Sequence, residues 1–325
     1  MKFLDLFAGI GGFHLGMQQA GHKCVGYVEW DKFARQSYQA IFNTKGLYNG
    51  KDIKSVKGSE LPKADVWCFG SPCQNISVAG NQKGLKGEQS SMFFEVIRLL
   101  NETDGEKKPS YLFMENVKNL LSSQKGWDFT EVLHQMDEIG YDVEWSVINS
   151  SDVVPQNRER IFIVGHLRGR STRKVFPIVR QNGKTTLSIK EIAKIYPNRH
   201  SSDANSVLDP SGISHMVTAH SATEQPKIAI PVLTPDRIKK RQNGRRFKTN
   251  GEPEFTLTGQ DRHGVLTNDV RIRKLTPREC WRLQGFPDWA FDRAKKAGLS
   301  DSQLYRQAGN AVTVPVIQAI AERFK

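Results

Sequence analysis

The stretch LDLFAGIGGFHLG, residues 4–16, decides the fold. An apolar run ends in a glycine-rich turn, and an amphipathic run starts directly after it. Strand, turn and helix start in that order open a βα unit, the repeating element of α/β sheets. Gly9, Gly11 and Gly12 are expected to let the backbone approach a ligand closely. A dinucleotide fingerprint would place its last glycine three residues after Gly11. His14 stands there instead, which disfavours NAD. A glycine turn with a purely structural role would look similar.

Working outward, further strands are expected at residues 23–29, 65–70, 111–116, 143–149 and 160–165. Helices are expected at 12–20, 32–42, 92–100 and 127–139. Near-continuous apolar strands separated by helices predict an α/β fold, a doubly wound, mostly parallel sheet covered on both faces. The pattern fades after about residue 172. Residues 171–270 are rich in Ser, Thr, Asn, Gly, Pro and basic groups without a strong period, and residues 173–295 read as a smaller, loop-rich domain. Near its end, RKLTPRECWRLQGFPD (273–288) predicts a short helix with Thr276 as N-cap and Pro277 at the first position. A last helix over 311–324 is expected to bring residues 296–325 back onto the large domain, formed by residues 1–172.

The chain has 325 residues, 38% of them hydrophobic, enough for a large core. No apolar run approaches a membrane span, and MKFLDLFAG reads as a strand rather than a signal peptide; a soluble, cytoplasmic protein is expected. The four cysteines, Cys24, Cys68, Cys73 and Cys280, have neither CxxC nor zinc-finger spacing, so neither a metal nor a disulfide framework is expected. The net charge is +13, and residues 166–270 alone hold 18 Lys/Arg against 9 Asp/Glu. RIKKRQNGRRFK (237–248) has seven basic residues and no acid. That concentration points to a polyanionic partner, nucleic acid first.

Several chemistry-bearing residues fall at expected strand ends, where ligands bind in open α/β sheets. Glu29 stands where an acid grips a ribose diol. Trp30 can lie against an adenine ring, and Asp52, near the end of a third strand, can accept from an adenine amine. Together they favour an adenosine-containing cofactor. Cys73, in GSPCQNISVAGNQKG, sits between an expected strand and a loop in which Gly80, Gly84 and Gly87 make a hinged lid. A free thiol titrates near 8.5 and needs help to become a nucleophile; position alone leaves Cys73 equally open to a packing role. Cys24, Cys68 and Cys280 are expected to be inert packing. Glu115, in FMENV, projects to the same edge and can donate a proton to a ring nitrogen, or can be a capping or salt-bridged acid. Arg158 and Arg160 are two apart on an extended segment, so both are expected to face one side. Solvated arginines on an edge strand are the bland alternative.

Taken in order, FAGIGGFHLG, Glu29–Trp30, GSPCQ, ENV, QNRER, LTPRECWRLQGFP and QAGNAV closely resemble the DNA cytosine-5 methyltransferases of bacterial restriction–modification systems. Each block alone is weak; the ordered set, running from residue 3 to about 320, is highly specific. The resemblance implies a class I S-adenosylmethionine-dependent methyltransferase fold and S-adenosylmethionine as methyl donor. It implies that Phe7, Gly9, Gly11, Glu29, Trp30, Asp52, Ile53, Pro72, Asn310 and Val312 line the cofactor pocket. Cys73 would be the nucleophile toward C6 of a flipped cytosine, with Glu115 on N3 and the exocyclic amine. Arg160 would bind the base carbonyl, and Arg158 would hold Glu115 or the backbone. Residues 173–295 would be the target recognition domain, with FTLTG supplying the family's Thr256–Leu257 pair. Duplex DNA would meet Gln74, Ser77, Gly80, Lys83, Gln156, Lys239, Lys240, Gln242, Arg245, Arg246, Thr256, Gln260 and Arg262, with His263 also suited to base contact. A monomer is expected, with a cognate restriction endonuclease as an optional partner. The rival readings are a tRNA cytosine-5 methyltransferase, whose usual Cys-Phe-Thr signature is absent here, and a catalytically inactive DNA-binding paralogue, which need not keep Pro72–Cys73–Gln74, Glu115 and both arginines.

Overall fold

The computed structural model describes residues 1–71, 92–176, 191–194, 206–208, 227–228, 230–235, 245–249, 252–259, 262–266 and 272–324. Its centre is a seven-stranded sheet. The strands are β1 (Lys2–Leu6), β2 (Lys23–Val28), β3 (Tyr48–Gly50), β4 (Val66–Gly70), β5 (Tyr111–Val117), β6 (Tyr141–Asn149) and β7 (Glu159–Leu167). They lie in the order β3-β2-β1-β4-β5-β7-β6. All neighbours pair parallel except β7, which is antiparallel to both β5 and β6. The chain leaves β1 toward β2 and β3 on one side, and returns to β4 and β5 on the other. The crevice outside the ends of β1 and β4 is therefore the topological switch point, where open α/β sheets bind ligands.

Period-two alternation divides the strand side chains between two cores. Leu4, Leu6, Trp67, Phe69, Leu112 and Met114 face α3 (Met92–Asn101) and α4 (Trp127–Glu138). Phe3, Val66, Cys68, Tyr111 and Phe113 face α1 (Gly12–Gln19) and α8 (Val314–Ala321). A third core joins α2 (Lys32–Ile41) to α5 (Pro277–Leu283), α6 (Asp288–Lys296) and α7 (Asp301–Asn310), with Leu257 and Val265 included. The expected cap of α5 is present as a full capping box between Thr276 and Glu279. The last helix is shorter than the expected 311–324. Ala311 closes α7, and α8 begins only after Thr313, with Pro315 in its first turn.

The described residues between β7 and α5 include two small sheets. One is β8 (Glu191–Lys194), β9 (Ser206–Leu208) and β10 (Lys227–Ile228), in the order β10-β9-β8. The other, antiparallel throughout, is β11 (Ile230–Leu233), β12 (His263–Leu266) and β13 (Ile272–Lys274).

Candidate active site

The turn after β1 is sharply wound. Phe7 (φ 56°), Gly9 (56°) and Gly11 (87°) are all left-handed. For Phe7 that conformation costs about 1–3 kcal/mol, a strain typical of functional turns. Two backbone bonds hold it, Ala8 N–H to Val28 O (3.0 Å) and Gly11 N–H to Ala8 O (2.8 Å). The three glycines serve different ends. A Cβ on Gly9 would meet no described atom within 4 Å, which leaves open space above the turn. A Cβ on Gly11 would lie 2.2 Å from the Phe42 ring, and one on Gly12 2.6 Å from Val312 Cγ2. Close helix packing, rather than approach of a ligand, therefore requires glycine at 11 and 12. His14 is buried in packing too: it stacks on Phe42 at 3.8 Å and bonds Tyr38 Oη at 2.7 Å. Burial pushes its pKa down to about 3, so it stays neutral.

Glu29 follows β2 and is buried, with both carboxylate oxygens turned to backbone donors. Gly9 N–H reaches Oε2 at 2.7 Å and Asp31 N–H reaches Oε1 at 2.8 Å. Burial raises its pKa, opposed by those same amides. The carboxylate thus fixes the glycine turn from below. Beside it, Trp30 is 76% exposed, an indole face left to solvent next to a buried acid. Asp52 caps the short turn after β3 by accepting from Lys54 N–H (3.0 Å), with Ile53 buried behind it. An open cradle at Gly9, an acid, an exposed aromatic face and a second acid line one sheet edge; that donor and acceptor set fits an adenosine-bearing cofactor. Asp5, which the sequence reading passed over, lies fully buried in β1. Burial, then the nearby Glu29 charge, raises its pKa well above the carboxylate range. Its signal in the sequence is a lone acid inside an apolar strand.

Glu115 stands opposite Gly70 in the β4–β5 register and is 8% exposed. A Cβ on Gly70 would come within 3.3 Å of Glu115 Oε2, so the carboxylate lies over the end of β4. Arg160 Nε pairs with Glu115 Oε1 at 3.0 Å. The next residue, Asn116, donates from Nδ2 to the buried Ser71 Oγ (3.2 Å), anchoring the chain immediately before Pro72. An acid–guanidinium pair therefore sits at the root of the Pro72–Cys73 segment, at the switch point. Pro72, Cys73, Gln74, Ser77, Gly80, Lys83, Lys239, Lys240, Gln242 and Gln260 lie outside the described residues. The other three cysteines are buried. Burial pushes Cys24 up to about 12 and raises Cys68 and Cys280 as well, which makes all three inert as nucleophiles.

Arg158 does not share the direction of Arg160. It lies one residue before β7, outside the regular strand alternation. Its guanidinium is buried and donates to the carbonyls of Leu257 (3.1 Å), Gly309 (3.3 Å) and Ala311 (3.0 Å). It thereby ties the QNRER segment to the Thr256–Leu257 pair and to both sides of Asn310. Asn310 is exposed at the end of α7, and Val312 packs on Gly12 at the glycine turn. Thr256 Oγ1 bonds Asn157 O. Gln156, expected at the DNA, is 0% exposed, and its backbone forms a parallel bridge with that of Glu254 in the interior. Arg245 is exposed but held by both oxygens of Glu252 (3.0 and 2.6 Å). Arg246 bonds Thr234 O at 3.2 Å, and Arg262 flanks a cavity with Ser302 and Tyr305. His263 is buried against Glu254 rather than presented to a base.

The sheet order, its single antiparallel strand and the acid-lined glycine turn define a class I methyltransferase fold. The chain is similar in structure to Dnmt2 methyltransferase of S. pombe, with a TM-score of 0.62, 18% identity and coverage of 98% of this chain and 96% of that one. More narrowly, the chain belongs to the C-5 cytosine-specific DNA methylase family, whose model matches residues 1–325, and it is a DNA cytosine-5 methyltransferase. It is 33% identical to the type II methyltransferase M.HhaI of Haemophilus parahaemolyticus, over 99% of this chain and 93% of that protein. Identity to the type II methyltransferase M.Bsp6I of Bacillus sp. (strain RFL6) is 34%, over 99% and 98%. To the orphan methyltransferase M.SPRI of Bacillus phage SPR it is 31%, over 98% and 96%.

Proposed function

We propose that the protein methylates C5 of a flipped-out cytosine in a short, specific duplex DNA sequence, using S-adenosylmethionine and a covalent bond from Cys73 to C6. The observation that carries this reading is the Glu115–Arg160 pair, set over Gly70 where the Pro72–Cys73 segment departs. Phe7, Gly9, Glu29, Trp30, Asp52, Ile53, Asn310 and Val312 would hold the cofactor, with Gly11 and Pro72 beside them. When bound, S-adenosylmethionine supplies an electrophilic methyl group on a sulfonium.

Cytosine C5 is a poor nucleophile while the ring is aromatic. The Cys73 thiolate adds to C6, breaks the aromaticity and moves electron density to C5. Glu115 holds N3 and the exocyclic amine and stabilises that electron-rich ring. Arg160 orients Glu115 and binds the base carbonyl, while Arg158 holds the surrounding backbone. After methylation, loss of the C5 proton to water or another base expels the thiolate and restores the ring. A stacked base cannot reach such a crevice, so it must be flipped out.

The basic region with Lys239, Lys240, Gln242, Arg245 and Arg246 would track DNA phosphates, and residues 173–295 would read sequence. No helix among the described residues is long and apolar enough to cross a membrane. The protein would act as a cytoplasmic monomer in a bacterial or phage-infected cell, protecting sites from a cognate endonuclease where one is present.

Duplex DNA with 5-fluorocytosine at the target tests the chemistry. Fluorine cannot leave as a cation, so wild type with cofactor should form a denaturation-resistant adduct that peptide mapping places on Cys73. An adduct on another cysteine, or full activity in Cys73→Ala, would overturn the assignment. Bisulfite sequencing of DNA from an expressing host then reads out the site.

A further inference from the structure

Residues 254–257 run parallel to residues 155–158 and are bonded to them along their length. Glu254 N–H donates to Pro155 O (3.0 Å), and Asn157 N–H donates to Glu254 O (2.9 Å). Thr256 Oγ1 bonds Asn157 O, and Arg158 Nη1 bonds Leu257 O at 3.1 Å. Two residues further on, Arg160 reaches Glu115. Whatever sets the position of Glu254 therefore sets the segment that aims Arg160.

Glu254 is 3% exposed, and its Oε1 accepts from Phe255 N–H at 2.8 Å. The same oxygen lies 3.6 Å from Nδ1 of His263, also 3% exposed. His263 opens β12, the central strand of the β11–β12–β13 sheet. Its backbone is locked there by register with Leu233 and by Leu275 N–H donating to its carbonyl at 2.8 Å. Among the described residues its ring nitrogens make no other polar contact. The ring meets Glu254, and His263 also lines a cavity of about 150 Å³ with Thr258, Arg262, Cys280 and Tyr305. A buried acid next to a buried imidazole is expensive unless each supports the other, and here the pair joins that sheet to residues 254–257 through side chains.

We propose that Glu254 and His263 are a positioning pair through which the β11–β12–β13 sheet sets residues 155–160, and with them Arg160, so that base reading and base holding are coupled. The proposal rests on the reading of Arg160 and Glu115 as the groups that hold the target base and of residues 173–295 as the region that reads sequence. Neither residue of the pair touches the base.

The test compares wild type with Glu254→Ala, His263→Ala, their double variant and Glu254→Gln. Three quantities are measured: single-turnover methyl transfer to unmethylated genomic DNA, cofactor affinity by calorimetry, and hydrogen exchange at the Asn157 amide. Small misplacement of a reacting group costs about 100-fold in rate. Both alanine variants should lose about that much with cofactor affinity unchanged, and Asn157 should exchange faster. The double variant should be no worse than either single, because the pair acts as one unit. Glu254→Gln keeps an acceptor for Phe255 N–H and should recover most of the rate. Normal exchange at Asn157, additive losses, or a rate that falls only with the folded fraction would overturn the proposal. A wild-type chain inert on DNA would refute the proposed function instead, and exchange at Asn157 would still decide for or against the pair.

Discussion

Glu115 owes its orientation to an absence: Gly70 leaves room for the carboxylate where any side chain would press on Oε2 at 3.3 Å. Gly70→Ala should leave the fold intact, since only that flexible carboxylate end must yield, and should lower methyl transfer by about 10- to 100-fold through misorientation. Single-turnover rates beside a melting curve check it; an unchanged rate would mean that Glu115 tolerates the shift. Glu115 and Arg160 were legible in the sequence because each stands at an end of an apolar run, and a sheet edge collects such ends. The direction of Arg158 was not legible. It depends on β7 starting at Glu159, one residue too late to impose strand alternation on position 158. Nor could the Glu254–His263 contact be read, because a nine-residue separation in a region without periodicity encodes no partner. For Gly11 and Gly12 the residue type was informative and its reason was not: the neighbours that demand glycine, Phe42 and Val312, are 31 and 300 positions away.

Among the elements, α1 and α8 make the contact that brings the two ends of the chain together. They cross where Gly16 faces Ile317, just after Gly12 has met Val312 in the segment before α8, with a Cβ on Gly16 placed 2.7 Å from Ile317 Cβ and 3.0 Å from the Gln318 amide. Because backbone is among the atoms in the way, Gly16→Val cannot be absorbed by a rotamer change and must push α8 outward. Overpacking of this kind costs about 1–3 kcal/mol. Val312 and Asn310 precede α8, so if they hold the cofactor as proposed, its affinity should fall with stability; calorimetry showing full affinity in a destabilised variant would separate the helix from the proposed pocket. A milder loss is expected at α5, where Thr276→Ala removes the capping box for about 1 kcal/mol, read as a lowered denaturation midpoint. Strands β1, β2, β4, β5 and β7 were legible within a residue or two because both their faces are largely buried, and continuous apolar runs stand out; the three-residue β3, half-exposed at the sheet edge, was legible only as an unplaced third strand before Asp52. The antiparallel sense of β7 was not, since periodicity carries no direction. Helices α6 and α7 escaped notice because each buries only a few residues and reads as polar along most of its length.

At the scale of the whole molecule, charge governs both stability and partner. Asp5 holds its proton far more tightly in the folded state than in the unfolded chain, where a carboxyl titrates near 3.9. As pH rises from that value toward the raised native one, the unfolded chain releases the proton first and stability falls. Asp5→Asn removes this dependence, so its melting temperature should gain on wild type as pH increases from about 4; parallel curves would mean that Asp5 ionises freely. The net charge of +13 acts outward. Half of the acidic compensation is missing from residues 166–270, and the seven basic groups of residues 237–248 form its densest part. Phosphate contacts release counterions, and each contributes about 0.9 to the slope of log affinity against log salt. If Lys239 and Lys240 both bind phosphate, replacing them with alanine should reduce the slope by about two and weaken binding to all sequences alike. Anisotropy titrations between about 50 and 200 mM salt measure that slope. Loss confined to one sequence would instead make the two lysines base readers, and an unchanged slope would place both away from the duplex, leaving Arg245 and Arg246 to carry the basic face.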